Sequence, residues 1–390
     1  MARAEPVPGH RRLTIVVGLN QTLTWGMSFY LPAVIAGPAG TTLGMSRAAI
    51  LGAFSCALLI SGFCAPRVGK HIDRHGGRGI LVASCAISAL GMVLLALASG
   101  PGGWYAGWLV LGVAMSLGLY DVAFATVGCL LGRAATPVIT GITLFAGFAS
   151  TIFWPIGAKL VPLMGWQGTL FGYAAVQIVF NLPLVIAFVP GGLPRETTAA
   201  AVADGAAPVR RLALVCLGSF FTLRWFISSS VAVFIVPLLQ SLGSSLDGAI
   251  LVAALIGPGQ VAGRLAEWAL KDRTDLLTRA RLAALVSPLS LLVLLFGGPV
   301  AAPLFALLYG MSNGILTINR GSLPMAIFGP AGYASLLGWL AVPVLLAQAS
   351  APTLAAPVMD ALSPHGVVAA AAVLCGLASL LLLPLRLPRG

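Results

Sequence analysis

Residues 212–239 read LALVCLGSFFTLRWFISSSVAVFIVPLL, an apolar run with one arginine, Arg224, near its middle. Runs like this recur along the whole chain and limit what it can fold into. About 20 consecutive apolar residues span a bilayer as a helix, because lipid offers no partner to backbone N–H and C=O groups and a helix pairs them within the segment. Charged residues are 8% of the 390 and mean hydropathy is +1.00. A soluble domain carries about 25% charge, so lipid is the expected solvent for most of this surface.

Twelve spans are predicted, at 13–37, 47–68, 79–99, 103–131, 137–162, 168–190, 212–238, 247–270, 281–298, 302–321, 332–356 and 365–385. The polar stretch GGLPRETTAAAVADGAAPVRR, residues 191–211, reads as a cytoplasmic linker. It separates two six-helix bundles, 1–190 and 212–390. The short polar N-terminus reads as a tail before a retained helix, since no cleavage site follows the first apolar run. Six cysteines (Cys56, Cys64, Cys85, Cys129, Cys216, Cys375) all lie in apolar spans without a CxxC pair and read as packing residues. No nucleophile–base pair or nucleotide loop is apparent, so neither enzyme activity nor a cofactor or metal is expected.

Net charge is +12, yet its placement argues against nucleic acid. With the N-terminus inside, 19 of the 22 lysines and arginines fall on the cytoplasmic side, while Arg47 and Lys159 fall outside. That bias is the positive-inside signal of a multi-pass protein with both termini cytoplasmic. Short matches also recur at a nearly constant offset. TLTWGMS (residues 22–28) pairs with TLRWFIS (222–228), MSLGLYD (115–121) with MSNGILT (311–317), and IDR (72–74) with KDR (271–273). Parallel repeats of this kind predict two pseudo-symmetric halves with a substrate site at the bilayer midplane.

Between the second and third spans stands GKHIDRHGGR, with Gly69, Asp73, Gly76 and Arg78 in the spacing G-x3-D-x2-G-x-R. This loop resembles the signature of the major facilitator superfamily, and EWALKDR after the eighth span resembles its degenerate second copy. The helix-1 stretch TWGMSFYLPAV is similar to bacterial monocarboxylate-transporter-like members. The resemblance implies an all-α membrane protein of twelve helices in two six-helix bundles. It also implies that Gly69, Asp73, Arg74, Gly76 and Arg78 form a gating loop that binds no substrate. Asp73 is placed to accept hydrogen bonds from a neighbouring helix N-terminus.

Arg224 lies 13 residues from Arg211, and Asp121 lies 12 from Arg133. At 1.5 Å per residue these are depths of about 20 and 18 Å. Charges at that depth cost a few kcal/mol and mark pathways. The resemblance implies a cavity lined by helices 1, 4, 7 and 10, which carry Asn20, Gln21, Trp25, Tyr30, Asp121, Arg224, Asn313, Thr317 and Asn319. Asp121 is expected to couple protons, and the others to bind substrate. The guanidinium fork suits an anion.

The expected protein is therefore a proton-coupled secondary transporter of a small, monocarboxylate-like organic anion, working by alternating access as a monomer. Its setting is a bacterial-type inner (plasma) membrane, and its partners are substrate, protons and lipids. One alternative is a proton-driven exporter of a drug or of arsenite, with Cys129 and Cys216 as metalloid ligands. Another, of a different class, is a non-transporting membrane sensor.

Overall fold

The computed structural model describes residues 8–191, 207–271 and 273–387. Most of the 191–211 linker, Asp272 of the second loop copy and the arginines Arg3, Arg195 and Arg389 lie outside them. Among the described residues every regular element is helical. The elements are α1 (Pro8–Thr24), α2 (Pro32–Leu43), α3 (Arg47–His75), α4 (Arg78–Ala96), α5 (Pro101–Gly118), α6 (Tyr120–Leu131), α7 (Ala135–Ala146), α8 (Ala149–Val176) and α9 (Leu182–Phe188). They continue with α10 (Ala207–Ser241), α11 (Leu246–Leu270), α12 (Leu276–Phe328), α13 (Tyr333–Ala361) and α14 (Pro364–Leu380). Several are pieces of one span. α1 runs into α2 through a π-helical turn, Trp25–Phe29, and α8 into α9 through another, Gln177–Asn181. Conversely, α8 and α12 each hold a sharp break at a glycine with positive φ, Gly165 and Gly298. Read with these breaks, the helical runs are consistent with the twelve predicted spans.

Local chemistry sets the helix ends. Ser46, Ser245 and Ser363 cap α3, α11 and α14 by accepting a hydrogen bond from the backbone N–H three residues on. Asp275 does the same for α12: its carboxylate takes the Thr278 hydroxyl and the Thr278 N–H at 2.9 Å, which hold it below the usual carboxylate range. At the other ends, Gly44 and Gly76 stop α2 and α3 in conformations with positive φ.

The chain forms two compact units. Unit 1 comprises Met1–Thr198 with Gly329–Val342, and unit 2 comprises Ala199–Phe328 with Pro343–Gly390. In unit 1 the core gathers Met27, Leu31, Met92, Trp104, Trp108 and Leu170, among others. The start of α13 joins this unit because glycines let it lie against α3. A Cβ on Gly69 would stand 2.3 Å from the Ala334 carbonyl, and one on Gly338 2.4 Å from that of Ala65. In unit 2, α11 meets α12 through paired glycines four apart, Gly259 and Gly263 against Gly310 and Gly314. A Cβ at any of the four would fall within 2.6 Å of a facing carbonyl. Such small-xxx-small crossings are how helices approach when lipid leaves no hydrophobic drive between them. Large apolar side chains instead face outward: Phe296 is 83% and Val300 93% exposed.

Candidate functional site

In unit 2, α10 buries Arg224 to 1% exposure. Its Nη2 donates to Asn313 Oδ1 at 2.8 Å and its Nη1 to the Tyr309 hydroxyl at 3.2 Å. The guanidinium carbon sits 4.9 Å from the centre of the Tyr309 ring. Asn313 in turn donates to Ser228 Oγ at 3.2 Å. The site is built from two helical rows, Arg224 and Ser228 on α10 and Tyr309, Asn313 and Thr317 on α12, each spaced by four residues. Every one of these partners is neutral. Among the described residues of unit 2, no carboxylate lies within ion-pair distance of Arg224, and its Nε has no hydrogen-bond partner.

The other residues expected on this side divide. Asn313 is half-buried and binds Arg224, whereas the Thr317 hydroxyl bonds back to the Asn313 carbonyl at 2.8 Å. Asn319 is fully buried, and neither of its amide atoms has a partner. Tyr309 and Ser228 escaped the sequence reading, although their four-residue spacing from Asn313 and Arg224 was there to be seen.

Unit 2 holds a second buried arginine with different company. Arg279 Nε meets Glu267 Oε1 at 2.9 Å, both side chains under 10% exposed, and its Nη1 donates to the carbonyls of Lys271 and Thr274. Arg264, three residues ahead of Glu267 on α11, donates to Gln260 Oε1 at 3.2 Å.

In unit 1 the helix-1 residues separate into two groups. Asn20 and Gln21 are fully buried. Asn20 donates to Asn181 Oδ1 at 3.0 Å, Asn181 donates to Gln177 Oε1 at 2.7 Å, and Gln21 donates to Asn20 Oδ1 and to the Gly118 carbonyl. That carbonyl is open because the chain is extended at Leu119, between α5 and α6. Trp25 and Tyr30 instead join an aromatic cluster. Trp25 lies 4.8 Å from Phe29 and 4.7 Å from Tyr120, and Tyr30 lies 5.7 Å from Trp154, centre to centre. Asp121 is half-buried in the first turn of α6. The break at Leu119 thus creates a helix N-terminus inside the span, where the dipole favours a carboxylate.

The signature loop also lies in unit 1. Asp73 accepts the backbone N–H groups of Ala334 and Ser335, at 3.1 and 2.8 Å, and the Ser335 hydroxyl. The carboxylate therefore caps the N-terminus of α13, the type of contact expected of it. Gly69 lets α13 approach, Gly76 ends α3, Arg78 donates to the Ile186 carbonyl, and Arg74 is exposed. Gly77, unremarked in the sequence, is as constrained: a Cβ there would strike Thr126.

No family model matches the sequence. An uncharacterized 38 kDa protein in the 23S RNA operon of Thermoproteus tenax is 29% identical over 302 residues, 75% of this chain and 73% of that protein. The human organic anion transporter MFSD10 (TETRAN) superposes with a TM-score of 0.76 at 19% identity, over 96% of this chain and all of the other. The chain has the major facilitator fold. The major facilitator proton:xylose symporter XylE, bound to 6-bromo-6-deoxy-D-glucose, superposes with a TM-score of 0.73 at 14% identity, over 95% and 94% of the two chains. The long apolar helices 47–75, 78–96 and 210–241 can each cross a bilayer, so a chain with the major facilitator fold is here a multi-pass membrane protein.

Proposed function

We propose that this protein is a secondary active transporter of a small organic anion, driven by protons, with Arg224 as the anion-recognising charge. One observation carries the reading: a guanidinium at 1% exposure whose partners in its own unit, Tyr309 and Asn313, are neutral. Those partners fix the orientation of the fork without cancelling its charge. A carboxylate would supply the missing counter-charge through paired N–H donors. The shared fold supports transport, and the names of the two neighbours supply precedents for an organic anion and for proton coupling.

Asp121 serves in this reading as the proton-coupling carboxylate, at a helix start inside the membrane. Trp25 and Tyr30 of unit 1 are proposed as substrate contacts, and so are Thr317 and Asn319 of unit 2. Asn20 and Gln21, bound into the Asn181 network, brace α1. Asp73 stabilises one conformation by capping α13, as a gate. The placement of lysines and arginines supports cytoplasmic termini in a bacterial-type inner membrane, with the chain acting as a monomer.

The test uses purified protein in proteoliposomes with radiolabelled lactate and pyruvate, with and without an imposed proton gradient. Asp121→Asn mimics the protonated carboxylate, so counterflow exchange should survive while gradient-driven accumulation is lost. Undiminished accumulation by Asp121→Asn would remove the coupling role.

A further inference from the structure

Unit 1 contains a cavity that the transport reading leaves unused. It measures about 600 Å³ and lies where α1 begins, α4 begins and α6 and α9 end. His10, Arg12 and Arg78 stand on its wall, and among the described residues no carboxylate does. The rest is largely apolar, including Leu13, Leu131 and Val189.

Its cations are held in place with donors to spare. The Arg12 guanidinium lies 4.7 Å from the centre of the Phe188 ring and makes no hydrogen bond within the described residues. The ring fixes the plane and leaves the N–H edge free, as a cation–π contact does. Arg78 gives Nη2 to the Ile186 carbonyl, which anchors the side chain and leaves its other N–H groups open. The His10 ring has no partner among the described residues.

We infer that this cavity binds the phosphate headgroup of an anionic phospholipid. Two guanidinium groups without a facing carboxylate suit a phosphate diester, which accepts forked N–H donors. The apolar walls and the position at the helix ends, where membrane meets water, favour a lipid over a free anion. Basic pockets between helices at the cytoplasmic surface hold anionic headgroups in this way, and the positive-inside bias assigns this end to the cytoplasm. The headgroup bridges the starts of α1 and α4 to the ends of α6 and α9.

The test is native mass spectrometry of the full chain in neutral detergent, titrated with phosphatidylglycerol, with phosphatidylcholine, and with glycerol phosphate as competitor. The wild type should retain phosphatidylglycerol in preference to phosphatidylcholine. Arg12→Gln should weaken that retention about fivefold, the effect of one arginine near an anionic headgroup. Arg11→Gln, the same charge change at the adjacent exposed residue outside the cavity, should leave it unchanged. Equal losses from the two variants would show diffuse surface attraction and overturn the site, as would equal retention of phosphatidylcholine. Displacement of the lipid by glycerol phosphate at matched concentration would make it a soluble-anion site and overturn the lipid assignment.

Discussion

Arg279 and Arg224 are both buried in unit 2, yet they keep different company. Arg279 faces the Glu267 carboxylate and two loop carbonyls where α11 passes to α12. Arg224 faces a phenol, an amide and a ring. The first arrangement answers the charge inside the protein, although Glu267 Oε2 keeps no partner. The second orients a charge among neutral partners of its own unit, which costs stability and is the reason for proposing that a substrate supplies the anion. Arg264 falls between the two, with one neutral partner but a carboxylate one helical turn away. Thr24, which the repeat pairs with Arg224, is also buried, and its surroundings in unit 1 are small: a Cβ on Gly118 would lie 3.3 Å from its methyl group. Of the two positions that the repeat pairs, Arg224 alone carries a charge.

The largest effect is expected at the Arg279 ion pair. Glu267→Gln should cost about 3–5 kcal/mol of stability, because it strands a buried guanidinium. Thermal unfolding in detergent should show a large fall, and Glu267→Gln with Arg279→Gln should recover much of it. A smaller effect is expected from Tyr309→Phe, which keeps the ring over Arg224 and deletes one hydrogen bond. About 1 kcal/mol of anion affinity, roughly fivefold, should go, with melting temperature little changed. An unchanged affinity in a titration would mean that the phenol does not orient the fork. The smallest effect concerns the signature loop. Asp73→Asn leaves one accepting oxygen in place of two and removes charge from the start of α13, the charge being worth about 0.3–1 kcal/mol. Turnover should change by about two- to fivefold while equilibrium affinity stays put. Loss of binding with turnover per bound substrate intact would argue against a gate.

Much of the fold could be read from apolar runs, because lipid forces each to close its own backbone bonds. Residues 47, 246 and 364, where α3, α11 and α14 begin, fall within a residue of the expected starts, and serine caps explain the agreement. The breaks were not legible. The π-turn at Trp25–Phe29 puts Gly26 directly under the Phe153 ring, where a Cβ would lie 2.1 Å away, and the extended Leu119 opens a carbonyl for Gln21. Both depend on partners distant in sequence. The site shows the same limit. Arg224 stood out as a charge in an apolar run, and Asp73 through its motif. Gln177 and Asn181 did not, because an amide in a span gives no sign of which distant amide it will meet. Tyr309 was hidden differently, as one aromatic among the many a membrane helix carries.

Whether the charge of Arg224 is kept for an anion can be read by calorimetric titration. Benzoate and its neutral isostere benzamide would be titrated into wild type, Arg224→Lys and Arg224→Gln. Wild type should prefer the carboxylate, Arg224→Lys should keep part of the preference, and Arg224→Gln should lose it. The loss should be about 1.5–3 kcal/mol, or roughly ten- to hundredfold in affinity. An Arg224→Gln protein that folds and still prefers benzoate by the wild-type margin would show that the anion does not meet Arg224.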